Sequence, residues 1–373
     1  NTSRMGYDAL GNVTSVTDAK GNVQTVTTYD SMGRTATLTN ALGITAEYSY
    51  DAVGNLLAVT ELLNGQTGRV TGYTYDSMGR LIGVTDPLDG ITAEVYNEKG
   101  ELVGRMDANG GTTSYTYDCM GRLLTELNPI GSKTTYAYNE QGLLSELMNA
   151  RGQKTAYAYD AVGRVTSVTD ELGTVSYEYD ANGNVLKVTD EGGSIERKYD
   201  ALNRITEYTD YNGNTVKYAY DEIGNLISLT YPGGEIVRYT YYKNGWLKTA
   251  TDNEGRVTSY EYDANGNITH ATRANGTEEF CVYNEAGLLV EQKDVKGEEV
   301  LTHYIYTYDA RGNIATIEGT ETAEGDLPRL VSATMTYDAA NRLLTYNGEE
   351  LCYDADGNMT YGPVNGVMTE LVY

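Results

Sequence analysis

A short pattern, Y-D-x-x-G, recurs along the whole chain and restricts its fold more than any other feature. The pattern, or a close variant of it, begins at seventeen tyrosines, and most successive copies lie 20, 21 or 22 residues apart. Because periods of this length are typical of repeat architectures, the chain is predicted to use one small structural unit many times. The leading tyrosines are Tyr7, Tyr29, Tyr50, Tyr75, Tyr96, Tyr117, Tyr138, Tyr159, Tyr179, Tyr199, Tyr220, Tyr241, Tyr262, Tyr283, Tyr308, Tyr337 and Tyr353.

Each repeat contains a second turn sequence about ten residues after the first, as at residues 170–173 and 252–255. Asp or Asn at the first position of a type I turn accepts hydrogen bonds from the turn backbone. Gly at the fourth position adopts a positive φ at little cost, and such turns join antiparallel strands. Each repeat is therefore predicted to be a β-hairpin, with one such turn at each edge of the sheet.

The predicted structural turn signature has four members: a leading Tyr, a capping Asp, a Gly with positive φ, and the Arg or Asn that follows the Gly. These residues are assigned a structural role rather than a catalytic, cofactor-binding or metal-binding one. In six representative repeats the signature residues are Tyr29, Asp30, Gly33, Arg34; Tyr50, Asp51, Gly54, Asn55; Tyr75, Asp76, Gly79, Arg80; Tyr117, Asp118, Gly121, Arg122; Tyr159, Asp160, Gly163, Arg164; and Tyr179, Asp180, Gly183, Asn184.

The segments between the turns have the composition of strands. In "AYAYD" (156–160) the two tyrosines alternate with alanines, which places both on one face of a strand. Val165 and Val168 break the alternation because they are three residues apart. A β-bulge would explain this spacing, and so would a first valine that still belongs to the turn.

The fold class predicted from these patterns is all-β: a long antiparallel ribbon of consecutive β-hairpins that coils into a hollow spiral shell or barrel, since a flat sheet of this length would twist and curl. The whole chain, residues 1–373, is predicted to be a single continuous repeat segment. Insertions are expected near 61–70 and 318–330, and irregular terminal repeats at 337–373.

The amino-acid composition restricts the partners and the cellular environment that this chain can have. The chain carries 27 basic and 53 acidic residues, and a net charge of −26 repels phosphate backbones, so we expect no nucleic-acid partner. Thirty-five tyrosines are expected mainly to pack across strands, with a few exposed. Cys119, Cys281 and Cys352 are too sparse for a disulfide framework. No apolar run is long enough for a transmembrane helix, so membrane insertion is not expected.

Catalytic candidates are few. His270 and His303 lie in strand-like segments, and no hydrolase or zinc-protease motif accompanies them. Cys119 replaces the usual small residue in one turn, but no histidine is placed to activate it. The chain is therefore predicted not to be an enzyme.

Calcium binding is an alternative interpretation of "DANGN" at 180–184 and 263–267, because this sequence spaces oxygen ligands like the start of an EF-hand loop. Glu191 even stands at the twelfth position of the first copy. The glycine that such a loop needs at its sixth position is Val185 instead, so a hairpin turn is the preferred interpretation and no cofactor is expected.

The residue after the Gly alternates between repeats in the first half of the chain. Two explanations stay open. One is a recent tandem duplication of a pair of repeats, which is slightly preferred. The other is that alternate hairpins lie in different environments, so that the arginines pair with acids on a neighbouring repeat along one rim. The arginines concerned are Arg34, Arg80, Arg122, Arg164 and Arg204.

The spacing and the residues of the pattern, as in "YDAVGN" (50–55) and "YDAVGR" (159–164), resemble those of the YD-repeat or Rhs-repeat family. That family includes bacterial Rhs and wall-associated proteins, the C component of insecticidal toxin complexes, and teneurin-like shells. The resemblance covers essentially the whole chain and implies a hollow β-shell, which in bacterial members encloses a variable C-terminal toxin domain. Residues 337–360 resemble the last repeats before the family's core region, and neither the core nor the toxin domain is expected within this sequence.

The resemblance implies a structural, non-enzymatic shell segment of a secreted polymorphic-toxin protein. The implied partner is an intramolecular C-terminal toxin or core domain outside this chain, and the implied localisation is secreted or at the bacterial cell surface. The alternative function is a cell-surface adhesion or carbohydrate-binding repeat module with surface glycans as partners. Because the sequence begins and stops within the repeats, it is expected to be a piece of a longer protein.

Overall fold

A computed structural model describes residues 2–321, 332–364 and 367–371 of the protein. Every regular element in these three ranges is a β-strand, and neighbouring strands pair antiparallel. The prediction of an all-β, antiparallel ribbon of consecutive hairpins is therefore confirmed. The predicted insertion at 318–330 and the end of the terminal repeats lie largely or partly outside the described residues.

The chain divides into two compact units, and each is described by itself. Unit 1 comprises residues 1–94, 106–110 and 259–373, and unit 2 comprises residues 95–105 and 111–258. The single continuous repeat segment stays a prediction. The first ten strands are β1 (Arg4–Tyr7), β2 (Val13–Thr17), β3 (Val23–Tyr29), β4 (Thr35–Asn40), β5 (Thr45–Tyr50), β6 (Leu56–Leu63), β7 (Gln66–Tyr75), β8 (Leu81–Thr85), β9 (Ile91–Tyr96) and β10 (Leu102–Met106).

Unit 2 consists mainly of fourteen strands, each hydrogen-bonded to the next along β11–β24. They are β11 (Thr112–Tyr117), β12 (Leu123–Leu127), β13 (Lys133–Tyr138), β14 (Leu144–Met148), β15 (Lys154–Tyr159), β16 (Val165–Asp170), β17 (Gly173–Tyr179), β18 (Val185–Asp190), β19 (Gly193–Tyr199), β20 (Ile205–Thr209), β21 (Thr215–Tyr220), β22 (Leu226–Thr230), β23 (Ile236–Tyr241) and β24 (Leu247–Thr251).

The later strands of unit 1 continue the same hairpin pattern to β33, and the last three form a small sheet of their own. They are β25 (Val257–Tyr262), β26 (Ile268–Thr272), β27 (Thr277–Tyr283), β28 (Leu289–Lys296), β29 (Glu299–Tyr308), β30 (Ile314–Glu321), β31 (Ser332–Tyr337), β32 (Leu343–Tyr346), β33 (Glu349–Glu350), β34 (Cys352–Tyr353), β35 (Met359–Val364) and β36 (Val367–Glu370).

A β-bulge follows the first turn of each repeat. In the β15–β16 hairpin Tyr159 pairs with Val165, whereas Ala158 pairs with Ser167, so one residue of β16 is extra. The same register shift recurs at other leading tyrosines in both units. The bulge, rather than a valine inside the turn, therefore explains why Val165 and Val168 are three residues apart.

The insertion at 61–70 is a longer hairpin rather than a loop. Strands β6 and β7 stay paired from Ala58 and Gly72 out to Leu63 and Gln66. Between them Asn64 and Gly65 both have positive φ, 52° and 74°, which suits a two-residue turn that matches the twist of the strands.

The repeats form a single layer of sheet with little fully buried apolar surface. The accessible surface is 22758 Å², against about 15,000 Å² for an ordinary monomer of 40.7 kDa. Among the described residues the buried apolar side chains are Ile44, Ala271, Ala333 and Leu351. Contacts along the ribbon therefore matter more here than a two-layer core.

Candidate structural site: the aspartate turns and the contacts between repeats

In most repeats the first turn is closed by its backbone and by an aspartate side chain. At residues 30–34 the Gly33 N–H donates to the Asp30 carbonyl (3.0 Å), and the Asp30 N–H donates to the Arg34 carbonyl (2.8 Å). The Asp30 Oδ1 accepts the N–H groups of Met32 and Arg34, each at 2.9 Å. Gly33 has a φ of 78°, where glycine has no steric penalty. The carboxylate thus satisfies turn donors that would otherwise need water.

The residue after the Gly binds the second oxygen of the same carboxylate. Arg164 Nε donates to Asp160 Oδ2 at 2.7 Å, and Asn184 Nδ2 donates to Asp180 Oδ2 at 2.8 Å. The alternative that these arginines pair with acids on a neighbouring repeat is wrong, because each pairs with the aspartate four residues before it in its own turn. The same pairing joins Arg34 to Asp30, Arg80 to Asp76, Arg122 to Asp118 and Arg204 to Asp200.

These hydrogen bonds favour the ionised form of the turn aspartates. The pKa of Asp30 is lowered chiefly by the hydrogen bond from the Arg34 backbone N–H. The pKa of Asp180 is lowered chiefly by the side-chain amide of Asn184. The hydrogen bonds of the turn therefore stabilise the negative charge of its aspartate.

The arginine repeats also contact the following repeat. The Arg164 guanidinium carbon lies 4.7 Å from the centroid of the Tyr179 ring, and Arg164 Nη1 donates to the Asp180 carbonyl at 2.9 Å. The shorter Asn184 instead contacts the Asn203 side chain at 2.7 Å. The alternation of Arg and Asn therefore has a structural counterpart. Equivalent arginine contacts join Arg34 to Tyr50 and Asp51, Arg204 to Tyr220 and Asp221, and Arg342 to Tyr353 and Asp354.

The hydroxyl of the leading tyrosine joins its repeat to the preceding one. Tyr159 Oη donates to the Leu144 carbonyl at 2.7 Å, and Tyr179 Oη donates to the Val165 carbonyl at 2.7 Å. In each case the acceptor is the first residue of the second strand of the preceding hairpin. The same bond is made by Tyr29, Tyr50, Tyr117, Tyr138, Tyr199, Tyr220, Tyr241, Tyr308, Tyr337 and Tyr353.

The sequence-based interpretation of the tyrosines as packing residues missed this hydroxyl. The leading tyrosines Tyr159 and Tyr179 are half-buried on one face of their strands rather than enclosed in a core. A signal was present in the sequence: 35 tyrosines stand against one phenylalanine. Packing alone would accept either ring, so the excess indicates that the hydroxyl has a partner.

The two histidines bind carboxylates rather than a nucleophile. His270 Nε2 lies 2.8 Å from Glu278 Oε2, and the His270 ring stacks on Phe280 with centroids 4.5 Å apart. His303 Nε2 lies 2.8 Å from Glu291 Oε1. Cys119 is an exposed free thiol in a turn. Within the described ranges none of these side chains is arranged with the others as a nucleophile and its base.

The candidate calcium ligands Asp180 and Glu191 lie at opposite edges of the sheet. Both Asp180 oxygens accept hydrogen bonds within its own turn, whereas Glu191 follows β18 at the opposite edge. In the part of the chain that the structure describes, no group of three or more His, Cys, Asp and Glu residues could hold a metal ion. No helix of the described chain could span a membrane.

In unit 1 the late repeats lie against the early ones, along a contact that we call the seam. Asp18 Oδ2 accepts the Asn265 side-chain amide at 2.7 Å, and the Ala19 N–H donates to Asn265 Oδ1 at 3.1 Å. Further along, the Ala108 N–H donates to Asp356 Oδ1 at 2.9 Å. At the seam, first turns of late repeats therefore meet second turns of early repeats.

These contacts define a structural β-hairpin repeat protein, in which the recurring residues close each hairpin and fasten it to its neighbours. More particularly, the chain belongs to the RHS Repeat family, as the resemblance had implied. The family's sequence profile matches residues 7–45, 29–65, 50–91, 96–129, 138–175, 159–195, 199–236 and 241–278.

Solved structures similar to this chain include TcdB2-TccC3 and a Tc holotoxin pore. The crystal structure of TcdB2-TccC3 is 17% identical, with a TM-score of 0.60, and the match covers 96% of this chain and 24% of that one. The Photorhabdus luminescens Tc holotoxin pore with a TccC3 mutation is 17% identical, with a TM-score of 0.61 and coverage of 96% and 23%. At this identity the likeness shows the fold. No curated protein matches the chain.

Proposed function

We propose that this chain is a wall segment of a shell that encloses a toxin domain located C-terminal to the repeats in the longer protein. The observation that carries the proposal is the likeness over 96% of the chain to TcdB2-TccC3 structures. One of these is described as lacking its hypervariable C-terminal region, at 19% identity and a TM-score of 0.57. A variable region after the repeats is the arrangement expected if the repeats form a wall and the variable region is the toxin domain that the wall encloses.

The local geometry suits a wall. Adjacent strands are about 4.8 Å apart and joined by ladders of hydrogen bonds, so no polypeptide can pass between them. The turns and tyrosine bonds then hold each hairpin to the next without a second layer of structure. The mechanism we propose is steric: the cargo stays separated from the targets of the producing cell until delivery.

The extent of the match limits what this chain does alone. It spans about a quarter of the solved structures that it matches, 23% in the case of TcdB2-TccC3-TEV. Enclosure would therefore need further parts of the longer protein. A structural, non-enzymatic role, an intramolecular toxin partner, and a secreted or cell-surface location belong to this same proposal.

Limited proteolysis of the longer protein tests the proposal. The fraction of intact toxin domain is followed over time, beside the same domain expressed alone at equal concentration. We expect cleavage of the enclosed domain to be slower by at least about tenfold, because a folded protease cannot cross a hydrogen-bonded sheet. Cleavage at the rate of the free domain would contradict enclosure. Binding of the repeats to a glycan array would instead support the adhesion alternative.

A further inference from the structure

The centre of the seam contains a buried carboxylate. Glu61 is 8% exposed and is the buried charged residue of the described chain. Its Oε2 accepts Arg69 Nε and its Oε1 accepts Arg311 Nε, both at 2.7 Å. Arg69 belongs to the same hairpin as Glu61, whereas Arg311 lies in the first turn of a late repeat. One carboxylate therefore joins an early hairpin to a late one.

The extra length of the β6–β7 hairpin makes this contact possible. Its strands have 8 and 10 residues, against 5 for β2 or β8, and both Glu61 and Arg69 lie in the added part. Arg69 Nη1 also donates to the carbonyl of Ala339 at 3.5 Å, in another late repeat. The insertion thus reaches two late repeats, and other early hairpins lack this length.

Close packing fixes the position of the contact. A Cβ added to Gly68 would lie 3.1 Å from Arg311 Nη2 and 3.3 Å from Glu61 Oε1, so glycine leaves room for the ion pair. A Cβ added to Gly312 would lie 2.9 Å from Leu42 Cδ1, because the leucine packs directly over that turn. A shift of the late repeats along the seam would disrupt both the packing at Gly68 and the contact between Gly312 and Leu42.

A second ion pair across the seam is longer and its cation is more exposed. Lys20 Nζ and Asp263 Oδ2 are 3.4 Å apart, with side chains 34% and 11% exposed, against 2.7 Å and 19% and 10% for Arg311 and Glu61. Exposed pairs contribute little, whereas removing one partner of a buried pair leaves an uncompensated charge and is strongly unfavourable. The Glu61 contact should therefore dominate closure of the seam.

We propose that residues 61–70 form a latch, in which Glu61 held between Arg69 and Arg311 closes the early repeats of unit 1 on the late ones. Opening the latch separates the two edges and leaves the hairpin ladders on either side intact. The latch does not depend on any enclosed cargo, so it stands or falls independently of the proposed function.

Hydrogen exchange of three backbone amides tests the latch. The N–H groups of Ala19, Ala108 and Ala355 donate to side chains across the seam, to Asn265, Asp356 and Asn109 respectively. In Glu61→Gln we expect these amides to exchange at least about tenfold faster, since the buried ion pair is lost. Arg311→Gln, which keeps the Glu61–Arg69 pair, should accelerate the same three amides.

Asp200→Asn is the matched control, because it breaks an Arg–Asp pair that lies within a single turn of unit 2. It should leave the three seam amides unchanged. Unchanged exchange at these amides in folded Glu61→Gln and Arg311→Gln would overturn the latch. Faster exchange throughout strands β25–β29 would also overturn it, because Glu61 would then support the fold rather than closure.

Discussion

The hydroxyl of Tyr159 donates a 2.7 Å hydrogen bond to the backbone carbonyl of Leu144, fifteen residues earlier in the chain. A bond of this kind joins successive hairpins in both units. In repeat proteins, stability is approximately the sum of each repeat's own stability and the contacts with its neighbours. Substitutions in the turn signature should therefore have local effects on stability. Substitution of a matched residue nearby serves as the control.

Replacing the leading tyrosine by phenylalanine should remove the bond between repeats and keep the ring. For Tyr159→Phe we expect the free energy of unfolding to fall by about 1 kcal/mol, the usual worth of such a hydrogen bond. Tyr157→Phe is the control, since no hydrogen bond is described for its hydroxyl and it lies on the same strand face. Urea unfolding measures both, and equal losses in the two variants would mean that the ring, not the hydroxyl, matters.

The turn glycines are required for their backbone conformation rather than for space. Gly183 has a φ of 93° and nothing within 4 Å of an added Cβ. Gly183→Ala should cost about 1–2 kcal/mol, the penalty for a left-handed conformation. Gly183→Asn should cost less, because Asn203 occupies the equivalent position of the next repeat with a φ of 62°. Gly72→Ala should be nearly neutral, because Gly72 lies outside the positive-φ region and an added Cβ would lie 3.7 Å from the Thr85 Cβ. Thermal melts of the three variants measure these differences.

The two roles of the alternating arginine can be separated by the asparagine that the other repeats use. Arg164→Asn should keep the bond to Asp160, as Asn184 does with Asp180, and lose the contacts with Tyr179 and the Asp180 carbonyl. We expect a loss of about 1 kcal/mol in the free energy of unfolding. Arg164→Ala should be worse, because Asp160 loses its side-chain partner as well. No difference between the two variants would contradict a role for asparagine in closing the turn.

Acid should weaken the turns. The pKa values of Asp30, Asp118 and Asp160 are lowered in the folded chain, chiefly by backbone hydrogen bonds from the residue after the Gly. An aspartate whose pKa is lowered by folding stabilises the protein at pH values above its ordinary pKa. That stabilisation is lost as the pH falls through the pKa of the folded state. The urea midpoint should therefore stay constant from pH 7 to about pH 5 and fall below about pH 4. A midpoint that rises on acidification would show that relief of charge repulsion dominates instead.

Much of the local structure followed from the sequence because its causes are local. The Asp and Gly of each turn act over five residues, and the alternation of tyrosines fixes which face they share. The short β-branched segments between glycines also favoured strands over helices. The bond from Arg164 to the Asp180 carbonyl and the bond from Tyr159 to the Leu144 carbonyl did not follow, because these acceptors belong to neighbouring repeats and depend on register.

The seam could not be read from the sequence at all. Glu61 and Arg311 are 250 residues apart, and although the repeat spacing marks 61–70 as an insertion, nothing in it pairs that insertion with Arg311. The sequence by itself determined the hairpin, its turns and its repetition, since these depend on contacts within about twenty residues. Only the tertiary structure decided which distant edges meet, because that choice depends on how the small twist of each hairpin accumulates along the ribbon.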